Sequence, residues 1–347
     1  MRHLAINPPA PRCFAGAELS RRDGRRQLRR ISSGLGLLLF LCGMATIATP
    51  MLFARILTWS GYQPSALYAA TGYMEPSLYY LLAGSSFILC FLIPGLLYLA
   101  VTRTPMGQVL PSAKVRPDRW IALLFLGFGL ALLSNLPANW FTDLLGNFFP
   151  SGDPKPTAYT PAVYEITTVP SMILSFVRTA VLPAFFEEFF FRGIFMGRMR
   201  SYGDGFAVCT SALLFGLFHG NLHQIPFAIL VGLAIGYIVV RTNNIWLGVA
   251  IHFCNNAFSA VQDLLRPHLS SAGYDLFYRL NFYGILFLGA LAAMYLLWRW
   301  RQFFIPGTRW FTAPLPLLSR IFAWISAPGI LLAIAYCVAE TFLDTLW

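Results

Sequence analysis

Three short clusters place ionisable and amide side chains inside apolar runs of this chain. They are Pro183 to Gly193 (PAFFEEFFFRG), Phe215 to His219 (FGLFH) and His252 to Asn256 (HFCNN). A charged side chain at the middle of a membrane-spanning helix costs about 2.5–3.5 kcal/mol on insertion scales, so the three charges of the first cluster together call for an offset of roughly 8–10 kcal/mol. Helical spacing supplies part of it. Glu188 and Arg192 are four apart, on one face and in the favourable order for an ion pair. Glu187 projects about 100° away around the helix and is left for another task. In the second cluster Phe215 and His219 share a face, and in the third His252 and Asn256 do, so two hydrogen-bonding groups point the same way. Structural roles compete with this reading: both glutamates on Arg192 as a knot, His219 as a core histidine, and His252 with Asn256 as a polar contact between helices.

Taken together, the clusters fit hydrolysis. Cleaving a peptide bond in a bilayer needs a base for water and donors for the charge that develops on the carbonyl oxygen. Glu187 with His219 can share the water, and His252 with Asn256 can form the oxyanion site. If Glu187 and His219 straddle a hairpin whose turn lies near residues 202–205, each is about 15 residues from it, roughly 22 Å along a helix. Glu187, His219 and His252 would also make a three-ligand zinc site with an open position for water. No HExxH helix pre-sets two ligands, however, and hydrolysis without a cofactor is the favoured expectation. No local Ser–His or Cys–His pattern suggests nucleophilic catalysis. His223 follows His219 by four but lies past Gly220 and Asn221, where the helix should end, and is read as interfacial.

The elements that must carry these groups are membrane helices. Of 347 residues, 57% are hydrophobic and 11% charged, whereas a soluble domain carries about 25% charged residues. The reading is an all-α polytopic bundle of 8–9 spans, at 34–58, 78–102, 119–142, 177–199, 205–222, 224–241, 245–264, 279–300 and 317–346. Residues 1–30 read as a disordered basic tail, 31–170 as N-terminal spans and loops, 171–265 as the core holding the three clusters, and 266–347 as C-terminal spans. The net charge of +11 is not arranged as a nucleic-acid stripe, and no nucleic-acid partner is expected. Lysine and arginine recur at the tail, 103–119, 198–204 and 241–244, which places the N-terminus and those loops on the cytoplasmic side; Arg266 and Arg279 oppose that pattern. The first apolar run is too long for a signal peptide and is read as a retained span. Arg55, Arg178 and Asp263 are read as span-end residues, Glu340 as a helix–helix contact or a sign that the last run does not fully span, and the cysteines as small apolar packing groups.

The pattern EExxxR, FxxxH and HxxxN, present as Glu187-Glu188 with Arg192, Phe215 with His219, and His252 with Asn256, resembles that of the CAAX protease and bacteriocin-processing family, the type II CAAX prenyl endopeptidases and their bacterial relatives. The resemblance covers roughly residues 178–262 and extends to Gly232, Gly236 and the turn from Arg241 to Trp246. It implies an intramembrane endopeptidase in which Glu187 and His219 activate water, His252 and Asn256 stabilise the oxyanion, and Glu188, Arg192 and Phe215 support them. Its implied partners are a membrane-associated protein or peptide substrate and the lipid bilayer, and its implied location a bacterial cell membrane. Members of the family are described both as metal-dependent and as glutamate-dependent. The contrasting expectation is a non-catalytic immunity, scaffold or transport protein that uses the same cluster for binding. A transporter should show broken helices in two related halves, and no such repeat is visible.

Overall fold

Local chemistry starts the helices where the apolar runs begin. In the computed structural model, which describes residues 21–61, 75–148, 168–222, 224–311 and 313–346, Glu75 caps the helix that begins at Pro76 by accepting from the Ser77 and Leu78 amides. Thr168 and Ser171 form a capping box, and Asn244 and Ser270 accept from the Leu247 and Gly273 amides. The principal helices are α1 (Arg21–Trp59), α2 (Pro76–Thr102), α3 (Pro117–Leu133), α4 (Asn135–Phe148), α5 (Val169–Tyr202), α6 (Asp204–Leu217), α7 (Gln224–Thr242), α8 (Ile245–Leu265), α9 (Ser271–Trp300), α10 (Leu317–Ile325) and α11 (Pro328–Leu346). Among the described residues the one β contact is an isolated bridge between Ser112 and Asn244, so the architecture is all-α.

Among the described residues six helices are long and apolar enough to cross a membrane, or seven if α10 and α11, bent by 67° at their break, count as one span. The two helices that separate this number from the expected 8–9 carry the second and third clusters. Helix α6 has 14 residues, about 21 Å against a hydrocarbon core of about 30 Å. Helix α8 is long enough, but His252, Asn255, Asn256 and Gln262 dilute its apolar character. Both pack inside the bundle, α6 on α7 and α8 on α3, α5 and α7. Large apolar side chains such as Leu41, Met51, Leu97, Phe287 and Trp298 instead face outward on α1, α2 and α9, as lipid-facing surfaces do. The chain is a multi-pass integral membrane protein.

Three expectations need correction. Residues 21–30 are helical rather than irregular, because Gly24, Leu28 and Ser32 form a buried face of α1 that packs near Leu315 while the arginines point outward; residues 1–20 lie outside the described part. Residues 271–278, taken as an outer loop, form the first turns of α9 behind the Ser270 cap. The last run is two helices rather than one continuous span, broken at Ser326 and Ala327 before Pro328. Residues 149–167 of the long loop and His223 fall outside the described residues. Close crossings rest on glycine: a Cβ on Gly129 of α3 would lie 3.2 Å from the Cα of Gly289 of α9, so these helices meet backbone to backbone.

Candidate active site

The first cluster does not sit on a regular α-helix. Pro183 has no amide hydrogen to donate, and the hydrogen-bond ladder of α5 shifts around it. A π-helical stretch at Val177–Val181 precedes the short α segment Leu182–Glu187, and a longer one, Glu188–Met196, follows it. Such widened turns concentrate at functional sites. The change from α to π spacing falls between Glu187 and Glu188, so the two neighbouring carboxylates enter different surroundings.

Glu188 is buried, with its side chain fully shielded, and its Oε1 lies 2.9 Å from Nη1 of Arg192 and 3.0 Å from Nδ1 of His252. The Arg192 guanidinium stacks 4.3 Å from the centroid of the Phe215 ring; together the carboxylate and the ring face stabilise a cation held away from water. Gly248 of α8 makes room for this knot, since a Cβ there would come within 3.0 Å of Glu188 Oε2 and 2.8 Å of Val239. Ser211 of α6 donates to the Phe191 carbonyl at 2.8 Å and so satisfies a backbone group in the π stretch.

Glu187 is only partly shielded, with 17% of its side chain exposed, and its ion-pair contact is Oε2 to His252 Nε2 at 3.9 Å. His252 therefore lies between the adjacent glutamates, Nδ1 on Glu188 and Nε2 toward Glu187. Because an ionised carboxylate only accepts, the proton of the shorter contact belongs to Nδ1. His219 stands just past the end of α6 and is exposed; its Nδ1 donates to the Phe215 carbonyl at 2.8 Å, and among the described residues Nε2 has no hydrogen-bond partner. The Phe215 ring contacts both imidazoles edge-on, at 4.9 Å for His219 and 5.9 Å for His252. Asn256 is half-buried one helical turn beyond His252. Its Oδ1 accepts from Asn255 at 3.2 Å, so its amide hydrogens remain available.

Direct contacts thus join Glu187, Glu188, Arg192, Phe215 and His252, and Phe215 links His219 to the group. Glu187 pairs with His252 rather than with His219. The sequence reading did not find the bond between Glu188 and His252 or the role of Ser211; a Thr210-Ser211 pair in an apolar run was the only signal for the latter. The start of α8 is fixed by the turn before it. Asn243, with φ of 51°, accepts from Arg200 at 2.9 Å, and Asn244 donates to the Ala113 carbonyl at 2.9 Å. These bonds set the height of His252 against α5.

The donor types of Glu187, His219 and His252 suit zinc, but among the described residues no three His, Cys, Asp or Glu side chains are placed to hold a metal ion. The three residues as placed do not fit such a group.

Residues 169–258, which contain all three clusters, match the model of the type II CAAX prenyl endopeptidase Rce1-like family. Through this segment the chain is similar to that family. It is also similar to a Bacillus subtilis (strain 168) protein named "Putative membrane peptidase YdiL", at 25% identity over 183 residues that cover 52% of this chain and 70% of the relative. No solved structure matches.

Proposed function

We propose that the protein is an intramembrane endopeptidase that hydrolyses a peptide bond of a membrane-associated protein or peptide, using water activated by Glu187 and His219. The carrying observation is the division of labour between the adjacent glutamates. Arg192 and His252 engage Glu188 at 2.9 and 3.0 Å, while among the described residues Glu187 keeps no cation closer than His252 Nε2 at 3.9 Å. Glu187 is the carboxylate free to take a proton from water. Nε2 of His219 is free to hold the same water or to pass a proton to the leaving amine. With Glu188 accepting from Nδ1, a protonated His252 donates through Nε2 to the developing oxyanion, and the Asn256 amide supplies the second donor.

In this reading α6 and α8 are membrane helices as well, which brings seven candidate spans to nine, and the arginine-bearing ends of α1, α5 and α7 face the cytoplasm. Hydrolysis needs no cofactor in this scheme. The test is cleavage of a mixed membrane-peptide library in proteoliposomes by wild type and by Glu187→Gln, each with and without a strong chelator. Loss of cleavage in the variant, with wild type indifferent to chelator, is the expected result. Full activity of Glu187→Gln overturns the assignment, and loss of wild-type activity with chelator moves His219 and His252 into a metal site.

A further inference from the structure

Glu340 of α11 lies outside the family-matched segment, in an otherwise apolar run. Two contacts set the register of α11 against α1. The Gly329 amide donates to Ser33 Oγ at 3.0 Å, and the Tyr336 hydroxyl donates to the Gly43 carbonyl at 3.0 Å. Both helices therefore ascend in the same direction. Glu340, eleven residues past Gly329, stands about 16 Å further along. The preceding helix α10 is tied to the turn between α5 and α6, where Arg320 Nη1 donates to the Tyr202 carbonyl at 2.6 Å. From that same turn α6 rises to His219, so Glu340 and His219 come to comparable depth.

They also come to one place. Gly220, directly after His219, adopts φ of 62° and turns the chain off α6; an ideal Cβ on it would lie 3.4 Å from the Glu340 Cβ, in ordinary van der Waals contact. Glu340 is half-buried, and among the described residues no hydrogen bond or ion pair engages its carboxylate. Its titratable neighbours on α11, Tyr336 and Cys337, supply no positive charge. A carboxylate inside a membrane bundle ordinarily has a cationic partner or a polar task.

We propose that Glu340, whose Cβ packs beside Gly220 of the His219 turn, is a specificity-determining residue of the peptidase site and that its carboxylate receives the ammonium or guanidinium of a Lys or Arg side chain near the scissile bond. The inference rests on the reading of His219 as part of a peptidase site. It adds a contribution from the C-terminal helix that residues 169–258 alone do not contain.

The experiment compares wild type, Glu340→Gln and Glu340→Lys in proteoliposomes, on matched membrane peptides bearing Lys, Gln or Glu at each position flanking the cleaved bond. At one position wild type should prefer Lys over Gln about tenfold in kcat/KM, mainly through KM, the usual scale of one hydrogen bond to a charged group. Glu340→Gln should level that preference and Glu340→Lys should turn it toward Glu. A binding arm uses fluorescent Lys and Gln peptides on Glu187→Gln and on the Glu187→Gln/Glu340→Gln double variant, so that it does not depend on turnover. An unchanged Lys-to-Gln ratio in Glu340→Gln, or equal loss on every peptide, overturns the proposal. Cleavage that survives Glu187→Gln would instead fail the catalytic reading and leave the charge preference to be judged on its own.

Discussion

Adjacent glutamates in different surroundings should fail differently when neutralised. In Glu188→Gln the Arg192 guanidinium, 1% exposed and 2.9 Å from the lost charge, becomes a buried cation without its counter-ion. Breaking a buried pair on one side costs about 3–5 kcal/mol. The Phe215 ring at 4.3 Å still contributes up to about 2 kcal/mol to the cation, and the glutamine carbonyl can accept one hydrogen bond. The expected loss is therefore about 3 kcal/mol, a hundredfold shift in the folding equilibrium. Glu187→Gln, by contrast, removes a partly exposed charge whose nearest partner is a histidine nitrogen at 3.9 Å, and should cost under about 1 kcal/mol. SDS-induced unfolding in mixed micelles, followed by tryptophan fluorescence, measures both. The double variant Glu188→Gln/Arg192→Leu completes a cycle, and its coupling should recover much of the single-variant loss. Equal destabilisation by the two glutamine variants, or a silent Glu188→Gln, would refute the division of labour on which the mechanism depends.

Further outcomes follow from the same geometry. Asn256→Ala should slow cleavage about 10²–10³-fold with little change in KM, the usual loss of one oxyanion donor; a change under about threefold removes Asn256 from the site. Gly248→Ala pushes a methyl to 3.0 Å from Glu188 Oε2 and 2.8 Å from Val239, and should destabilise by about 1–3 kcal/mol in the same unfolding assay; wild-type stability would mean that α8 is free to withdraw. Phe215→Leu removes the ring that faces Arg192 and both imidazoles. It should cost about 2–3 kcal/mol as ring contacts and cation stacking are lost, and unchanged folding would show that the ring is not needed to hold Arg192.

The sequence alone was enough for the membrane class, the helical fold, the ion pair of Glu188 with Arg192 and the three clusters, because each rests on local quantities: apolar length, four-residue spacing and the cost of charge in an apolar run. The resemblance to the family was legible for the same reason, since all three motifs stand in order within the one short segment that the family model matches. The span count was not, because a helix that is shielded by its neighbours can be short, as α6 is, or polar, as α8 is. Nor was the helical state of residues 21–30, which depends on Leu28 and Gly24 finding a surface from the far end of the chain. Only the tertiary structure decided how His252 meets the two glutamates. The shift from α to π spacing at Glu188 and the bonds that fix the start of α8 bring His252 between two side chains 64 and 65 residues away. No periodicity in the chain encodes that distance, since it is set by how two helices pack.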